Sequence, residues 1–244
     1  MSILLRLNKY IFTFFIFITN LLNAQNNYCI EYEHLLHDTR DKYGVSWKVY
    51  NKLITNENES ATFVRSIDTV FTVNEDDIIE QQASNYSQSE YKNLKKQISF
   101  SRTIFPKYNL SDSIYKINWE IKNESKAILG YNCQLAKGSF RGRTYSAYFT
   151  TEIPIRNGPQ KFDGLPGIIL EVVSDDKCVY YKAKSITLTQ EKIENIFLDK
   201  PLISWNTFSK NYKKLFYKME NYKPSEDETY SIQNRTVEYY FDSY

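Results

Sequence analysis

Within residues 127–187 several segments place apolar side chains at every second position, and this pattern constrains the fold more than any other feature. Residues 131–135 and 145–149 each place alternate apolar side chains on one face, with a turn at 139–142 between them. Residues 168–173 form a nearly continuous β-favouring run, which is typical of a central strand. The region therefore predicts a hairpin followed by a buried strand of the same sheet.

The period changes towards the C-terminus. Ser204 is a candidate helix cap, and the residues after it repeat an aromatic stripe at helical spacing: Trp205, Phe208, Tyr212, Leu215, Phe216 and Met219. Lysines occupy the opposite side of this segment. We predict a mainly β (α+β) fold, in which a curved antiparallel sheet or half-open barrel carries the amphipathic 204–219 helix packed on it.

The N-terminus has the three parts of a secretory signal peptide over residues 1–24. Arg6 and Lys9 precede an uncharged tract from Tyr10 to Leu22, and the small Ala24 ends the segment. Because the tract is shorter than the ~20 residues that a membrane span needs, we expect cleavage and no transmembrane span afterwards. Removing two of the 31 basic residues leaves 29 against 29 acidic ones, a balance that excludes an electrostatic nucleic-acid surface.

The remaining 25–244 are expected to form a single β-rich domain, since no linker or repeat divides them. Within it, 74–97 is rich in Gln, Ser and charged residues, which favours an exposed polar insertion. The tyrosine-rich 221–244 are expected to be a tail or an edge strand.

The cysteines and histidines suggest little chemistry. Cys133 and Cys178 lie in strand-like sequence and are the candidate disulfide, with buried thiols as the alternative. His34 and His37 are the only histidine pair, and a metal site needs three or four converging ligands, so two solvated histidines are favoured. We therefore predict no catalytic residue, no metal site and no cofactor.

Four residues are candidates for binding a ligand or partner. Arg141 and Arg143 flank a glycine in the hairpin turn, where they either meet an anionic group or form a solvated tip. Trp119 and Phe162, together with Trp47, either line an apolar groove or pack in the core, and packing is favoured.

The segment Gly164-Leu165-Pro166-Gly167 leads into Ile168, and residues 165–168 predict a type II turn with Pro166 at its second position and Gly167 at its third. Such a turn is either a rigid entry into the strand at Ile168 or a shaped lip beside a binding groove.

This segment with Ile168-Ile169 resembles the hexapeptide for which the GLPGLI family of exported bacterial proteins is named. The similarity extends over about 117–175, through 128–134, 140–150, 152–155 and 158–159, and is weak elsewhere. Leu135 and Tyr148 depart from residues common in that family. The resemblance implies an exported, mostly antiparallel β protein, without a settled activity and without catalytic residues to carry over.

We thus expect a non-catalytic binding protein of the cell envelope, in the periplasm, associated with the outer membrane, or secreted. Its ligand would be a small apolar or amphipathic molecule held in a concave cavity. The alternative is an interaction accessory of an envelope complex, with an exposed patch or free sheet edge and no cavity.

Overall fold

The computed structural model describes residues 27–37, 46–66, 85–103 and 107–221, which form one open, curved sheet of twelve strands and a helix. The strands are β1 (Asn27–His37), β2 (Ser46–Thr55), β3 (Glu59–Ser66), β4 (Ser87–Asn93), β5 (Ile98–Arg102), β6 (Asn109–Ser113), β7 (Glu120–Ile128), β8 (Tyr131–Phe140), β9 (Arg143–Thr150), β10 (Ile168–Ser174), β11 (Val179–Thr189) and β12 (Ile203–Ser204). Helix α1 spans Trp205–Glu220. The predicted fold class is confirmed.

The sheet joins two antiparallel meanders through its first strand. Its order is β12-β6-β5-β4-β3-β2-β1-β11-β10-β9-β8-β7, so β1 pairs with β2 on one side and with β11 on the other. Among the described strands only β12 and β6 pair in parallel. The predicted hairpin is β8–β9, and the predicted central strand is β10.

Register shifts bend the sheet. They occur between β1 and β11 after Glu31, between β3 and β4 after Thr62, between β10 and β9 after Ile169, and between β7 and β8 after Ile121. A bulge adds one residue to one strand of a pair, which bends that strand and increases its twist. The strands therefore enclose a concave face, across which the connection 151–167 is packed, with Phe162 fully buried.

Two apolar clusters fill the described interior. The larger one combines β1, β2 and β7–β11 with the connection 151–167, and the smaller one joins Leu110 of β6 to Trp205 and Phe208 of α1. The helix cap is confirmed, because the backbone N–H of Thr207 donates to Ser204 Oγ at 3.2 Å. Two stripe residues, Phe216 and Met219, have side chains outside the described set.

The expected polar insertion at 74–97 is wrong for its second half. Residues 87–93 form β4, which pairs with β3 and β5. Its polar side chains Gln88, Glu90 and Lys92 are buried on the concave face, so the strand lacks the apolar alternation that would have indicated it. Residues 74–84, the signal segment 1–24 and residues 222–244 lie outside the described ranges.

The candidate disulfide is also wrong. Cys133 lies on β8 and Cys178 immediately before β11, with β9 and β10 between these two strands. Adjacent strands are ~4.8 Å apart, so three steps separate the two positions by roughly 14 Å, beyond the ~7 Å that a disulfide spans. Both remain buried thiols in the core, as in the alternative.

Candidate functional site

A cleft opens where β6, the β8–β9 turn and the start of α1 meet. Its volume is about 440 Å³, within the range of small-molecule sites. We call this the cleft, and its walls are Ile98, Ser111, Asp112, Ser113, Tyr115, Arg141, Ser204, Trp205 and Asn206. Aromatic, charged and hydroxyl side chains therefore converge on one opening.

Arg141 is the central side chain of the cleft. The two-residue turn Arg141-Gly142 has φ values of 42° and 85°, as a type I′ hairpin requires, and directs the arginine inward. Its Nη2 donates to Asp112 Oδ2 at 2.6 Å, and its guanidinium lies 3.9 Å from the centre of the Trp205 ring. Arg141 is therefore not part of a solvated hairpin tip. It is buried, and the anionic group that it meets is a carboxylate of the same chain.

A second, smaller space adjoins the cleft and shares Asp112, Ser113 and Tyr115 with it. Its volume is about 10 Å³, roughly the space of one water molecule. We call it the inner pocket, and its other walls are Glu90, Lys92, Ser99, Ile114, Phe140, Lys161 and Asp163. Three carboxylates and two ammonium groups thus line this small space.

Asp163 connects the inner pocket to the connection 151–167. Its Oδ2 lies 3.7 Å from Lys92 Nζ, and Lys92 Nζ also donates to the carbonyl of Phe162 at 3.5 Å. Burial raises the pKa of the Asp163 carboxyl, while the Lys92 and Arg156 charges oppose that rise. A buried carboxyl with a raised pKa beside a cleft is a common property of functional sites.

The segment 164–167 follows Asp163, and it does not form the predicted type II turn. The positive φ of 90° belongs to Gly164, while Gly167 has no positive φ. Gly167 is required for a different reason, since a Cβ there would lie 2.0 Å from the Thr150 carbonyl oxygen. Leu165 is buried in the core and Pro166 is exposed. The segment is therefore a close crossing of β9 that leads into β10.

The other predicted site residues lie outside the walls of the cleft. Phe162 is fully buried and Trp119 is partly buried, with its indole N–H donating to the Asp163 carbonyl at 2.8 Å. Both correspond to the packing alternative, and the Trp47 side chain lies outside the described set. Arg143 is buried beside Asp176, with its Nε 3.4 Å from Oδ2, and does not reach the cleft.

Sequence analysis missed most of the site. Glu90, Lys92, Asp112 and Tyr115 had no recognised motif, and Trp205 was assigned only to the helix stripe. The one available signal was the spacing of Gln88, Glu90 and Lys92, because charged and amide residues at every second position indicate a strand with a polar buried face.

His34 is buried on β1 rather than solvated, stacked 3.8 Å from the Tyr181 ring. Burial lowers the pKa of its imidazole to about 3, so the ring is neutral. No group of three or more His, Cys, Asp or Glu side chains in the described ranges is arranged to hold a metal ion.

The substitution His34→Phe should make stability less dependent on pH. The native pKa lies below the unfolded value of about 6.5, so the unfolded state takes up the proton first and stability falls as pH falls from 6.5 towards 3. The slope is about 1.4 kcal/mol per pH unit. Because the unfolded-state histidine is already half protonated at pH 6.5, urea unfolding at pH 6.5 and 4.5 should show wild type losing about 2.3 kcal/mol more than the variant. Equal losses would mean that native His34 titrates near its usual pKa.

Comparisons with known proteins identify a family. The family model described as "N-glycanase peptide, N-terminal domain" matches residues 45–223. No protein of curated function matches the sequence. Of the helices in the described ranges, none is long and apolar enough to cross a bilayer.

Two solved structures are similar in part, and both are described as PNGF-II, in the C2 and P21 space groups. The first is 18% identical with a TM-score of 0.49, and it covers 79% of this chain and 33% of that one. The second is 16% identical with a TM-score of 0.48, and it covers 73% and 31%. This chain therefore spans about a third of the length of those proteins.

Proposed function

The chain belongs to the family of N-glycanase peptide N-terminal domains, and from this premise we propose an exported, non-catalytic binding protein of the cell envelope. The signal-like segment 1–24 supports export to the periplasm or the outer membrane. The resemblance to the GLPGLI family supports the same location and stays a prediction.

The observation that carries the proposal is the mixed lining of the cleft. Tyr115 is 40% exposed and offers an aromatic surface, while Asp112, Ser204 and Asn206 offer polar atoms beside it. A lining of this kind suits an amphipathic ligand better than a purely apolar one. Membership in a family of N-glycanase N-terminal domains supports a ligand that carries a glycan, such as a glycopeptide.

A role without cysteine or histidine catalysis is supported by the state of the buried thiols and of His34. Burial raises the pKa of the Cys29 thiol, and raises that of Cys133 to about 11, which disfavours the reactive thiolate. His34 is buried and neutral, away from the cleft walls. Incubation of an asparagine-linked glycopeptide with the protein should leave the mass of the glycopeptide unchanged, and a released glycan would contradict this part of the proposal.

The accessory of an envelope complex is the second hypothesis, and the free edge of the sheet disfavours it. β7 forms one edge of the sheet, and it carries the exposed Glu120 and Glu124 and the half-buried Lys122. Charged side chains on an edge strand discourage the addition of a further strand from a partner. The cleft therefore supports ligand binding more directly than the edge supports assembly.

The substitution Tyr115→Ala tests the proposed function. Titration calorimetry with an asparagine-linked glycopeptide should give a dissociation constant about tenfold higher for the variant, because an aromatic contact is worth roughly 1 kcal/mol or more. Tyr217→Ala is the matched control, since this tyrosine of α1 is similarly exposed and is not a wall of the cleft. Absence of binding by wild type, or equal losses in both variants, would refute the proposal.

A further inference from the structure

Basic charge is concentrated on helix α1. Residues 200–219 contain several lysines and no acidic residue, although basic and acidic side chains balance over residues 25–244 as a whole. In the part of the chain that the structure describes, none of the lysines of α1 forms an ion pair. These lysines are Lys210, Lys213, Lys214 and Lys218.

The lysines lie on the side of α1 that is turned away from the sheet. Trp205 and Phe208 are buried in a cluster with Leu110 of β6 and fix the inner side of the helix. With 3.6 residues per turn, positions 210, 213, 214, 217 and 218 fall on the opposite side. We call this surface the basic face, and it consists of the half-buried Lys213 and the exposed Lys210, Lys214, Tyr217 and Lys218.

The basic face is unfavourable for a helix in isolation. Lys210 precedes Lys214 by four positions, and Lys214 precedes Lys218 by four, so each pair brings like charges together. Like charges at this spacing destabilise a helix. Of the three, only Lys218 lies in the last turn, where a positive charge interacts favourably with the helix dipole. An anionic partner would relieve the repulsion along the whole face.

Tyr217 favours a lipid surface over other anionic partners. It is 47% exposed and lies one turn after Lys213 and Lys214, within the basic face. Tyrosine combines an apolar ring with a polar hydroxyl group, and it is enriched at the boundary between membrane and water. No residue of the basic face is a wall of the cleft or of the inner pocket, which suits contact with an extended surface.

We propose that the basic face binds the anionic headgroups of a lipid bilayer and holds the protein at a membrane surface. The attachment is electrostatic and peripheral, because the apolar side of α1 stays packed on the sheet. Asn206, one turn before Lys210, is a wall of the cleft, so the cleft opens beside the attached face. The proposal goes beyond the proposed function and does not depend on it.

Sedimentation with lipid vesicles tests the proposal. The exported protein, residues 25–244, should bind vesicles made of phosphatidylcholine and phosphatidylglycerol in equal parts, and should not bind phosphatidylcholine alone. Raising the ionic strength from about 0.05 M to about 0.5 M should release it, because salt screens exposed charges. Lys210→Gln combined with Lys214→Gln should bind about 20- to 30-fold more weakly, since each lysine beside an anionic surface contributes about fivefold.

The matched control is Lys182→Gln combined with Lys184→Gln. These lysines of β11 are also exposed and lie far from α1 in the strand order, and neither forms an ion pair with a described residue. The control removes the same charge and should leave vesicle binding unchanged. Tyr217→Ala keeps every charge and should weaken vesicle binding about threefold, through loss of the aromatic contact with the interface.

The α1 double variant should have a Tm equal to that of wild type or slightly higher, because it removes one repulsive pair. A lower Tm would contradict the absence of partners for these lysines and overturn the proposal. Binding to phosphatidylcholine alone, insensitivity to salt, or equal losses in the two double variants would overturn it too. Tighter binding to soluble polyglutamate than to the mixed vesicles, with no effect of Tyr217→Ala, would replace the lipid surface by an acidic polypeptide.

Discussion

Substituting Arg141 with Ala should lower the free energy of unfolding by about 3–5 kcal/mol, the usual cost of breaking a buried ion pair by removing one partner. The side chain of Arg141 is 5% exposed and that of Asp112 is 12% exposed, so the remaining carboxylate would stay largely buried without its guanidinium. Contact with the Trp205 ring would be lost as well. Urea unfolding measures the change.

The backbone does not contribute to this difference. Arg141 has a φ of 42°, which is unfavourable for any residue with a Cβ, and alanine would be strained to a similar degree. The decrease in the free energy of unfolding therefore comes from the loss of the side-chain interactions alone. Binding of glycopeptide should disappear as well, because Asp112, Arg141 and Trp205 together form one wall of the cleft.

A double variant provides the control for Arg141. Asp112→Leu combined with Arg141→Met removes both charges and fills the space with apolar groups, which commonly restores much of the stability that a single substitution loses. We expect recovery of stability without recovery of binding. A loss below about 1 kcal/mol in Arg141→Ala would instead mean that the pair behaves like an exposed one.

Local pattern was sufficient for the elements whose burial follows their own sequence. The β8–β9 hairpin and β10 were predicted because one face of each carries apolar residues that enter the larger cluster. Helix α1 was predicted because Ser204 caps it and Trp205 and Phe208 recur at helical spacing on its buried side. In each case the local signal and the tertiary environment agree.

The candidate site could not be predicted because its residues come together only through long-range pairing. Lys92 of β4 reaches Asp163 from a connection 71 positions later, and Arg141 reaches Asp112 across the gap between the two clusters. Charged residues are rarely buried, so sequence analysis favours a solvated assignment for them. The sequence therefore predicts an exposed insertion where the structure has the buried polar face of β4, and a solvated tip or an anion site at the arginine turn.

Gly167 is a further position at which local sequence does not predict the structure. Pro166-Gly167 has the composition of a type II turn, and composition alone indicated a positive φ at Gly167. The structure assigns a positive φ to Gly164 instead and requires Gly167 for the approach of the Thr150 carbonyl. A requirement of that kind depends on which strand lies next to the residue, which no local pattern specifies.

Phe162 is the residue whose truncation should affect both the core and the site. Its ring is fully buried and lies edge-to-face 4.7 Å from Tyr145, 6.1 Å from Tyr181 and, tilted, 6.3 Å from Phe140. Phe162→Ala should lower the free energy of unfolding by about 3–5 kcal/mol, through lost burial and the cavity that remains. Phe162→Leu keeps most of the volume and should cost about 1–2 kcal/mol.

The two variants of Phe162 also separate folding from binding. The carbonyl of Phe162 accepts a hydrogen bond from Lys92, and the next residue is Asp163. Because both Lys92 and Asp163 line the inner pocket, the cavity left by removing the ring would loosen one of its walls. At a temperature where both variants are folded, we expect Phe162→Ala to weaken binding of the glycopeptide and Phe162→Leu to bind nearly as wild type. If binding weakens more in Phe162→Ala than in Phe162→Leu, packing around Phe162 maintains the geometry of the inner pocket. Unchanged binding in both variants would show that the geometry of the pocket does not depend on this packing.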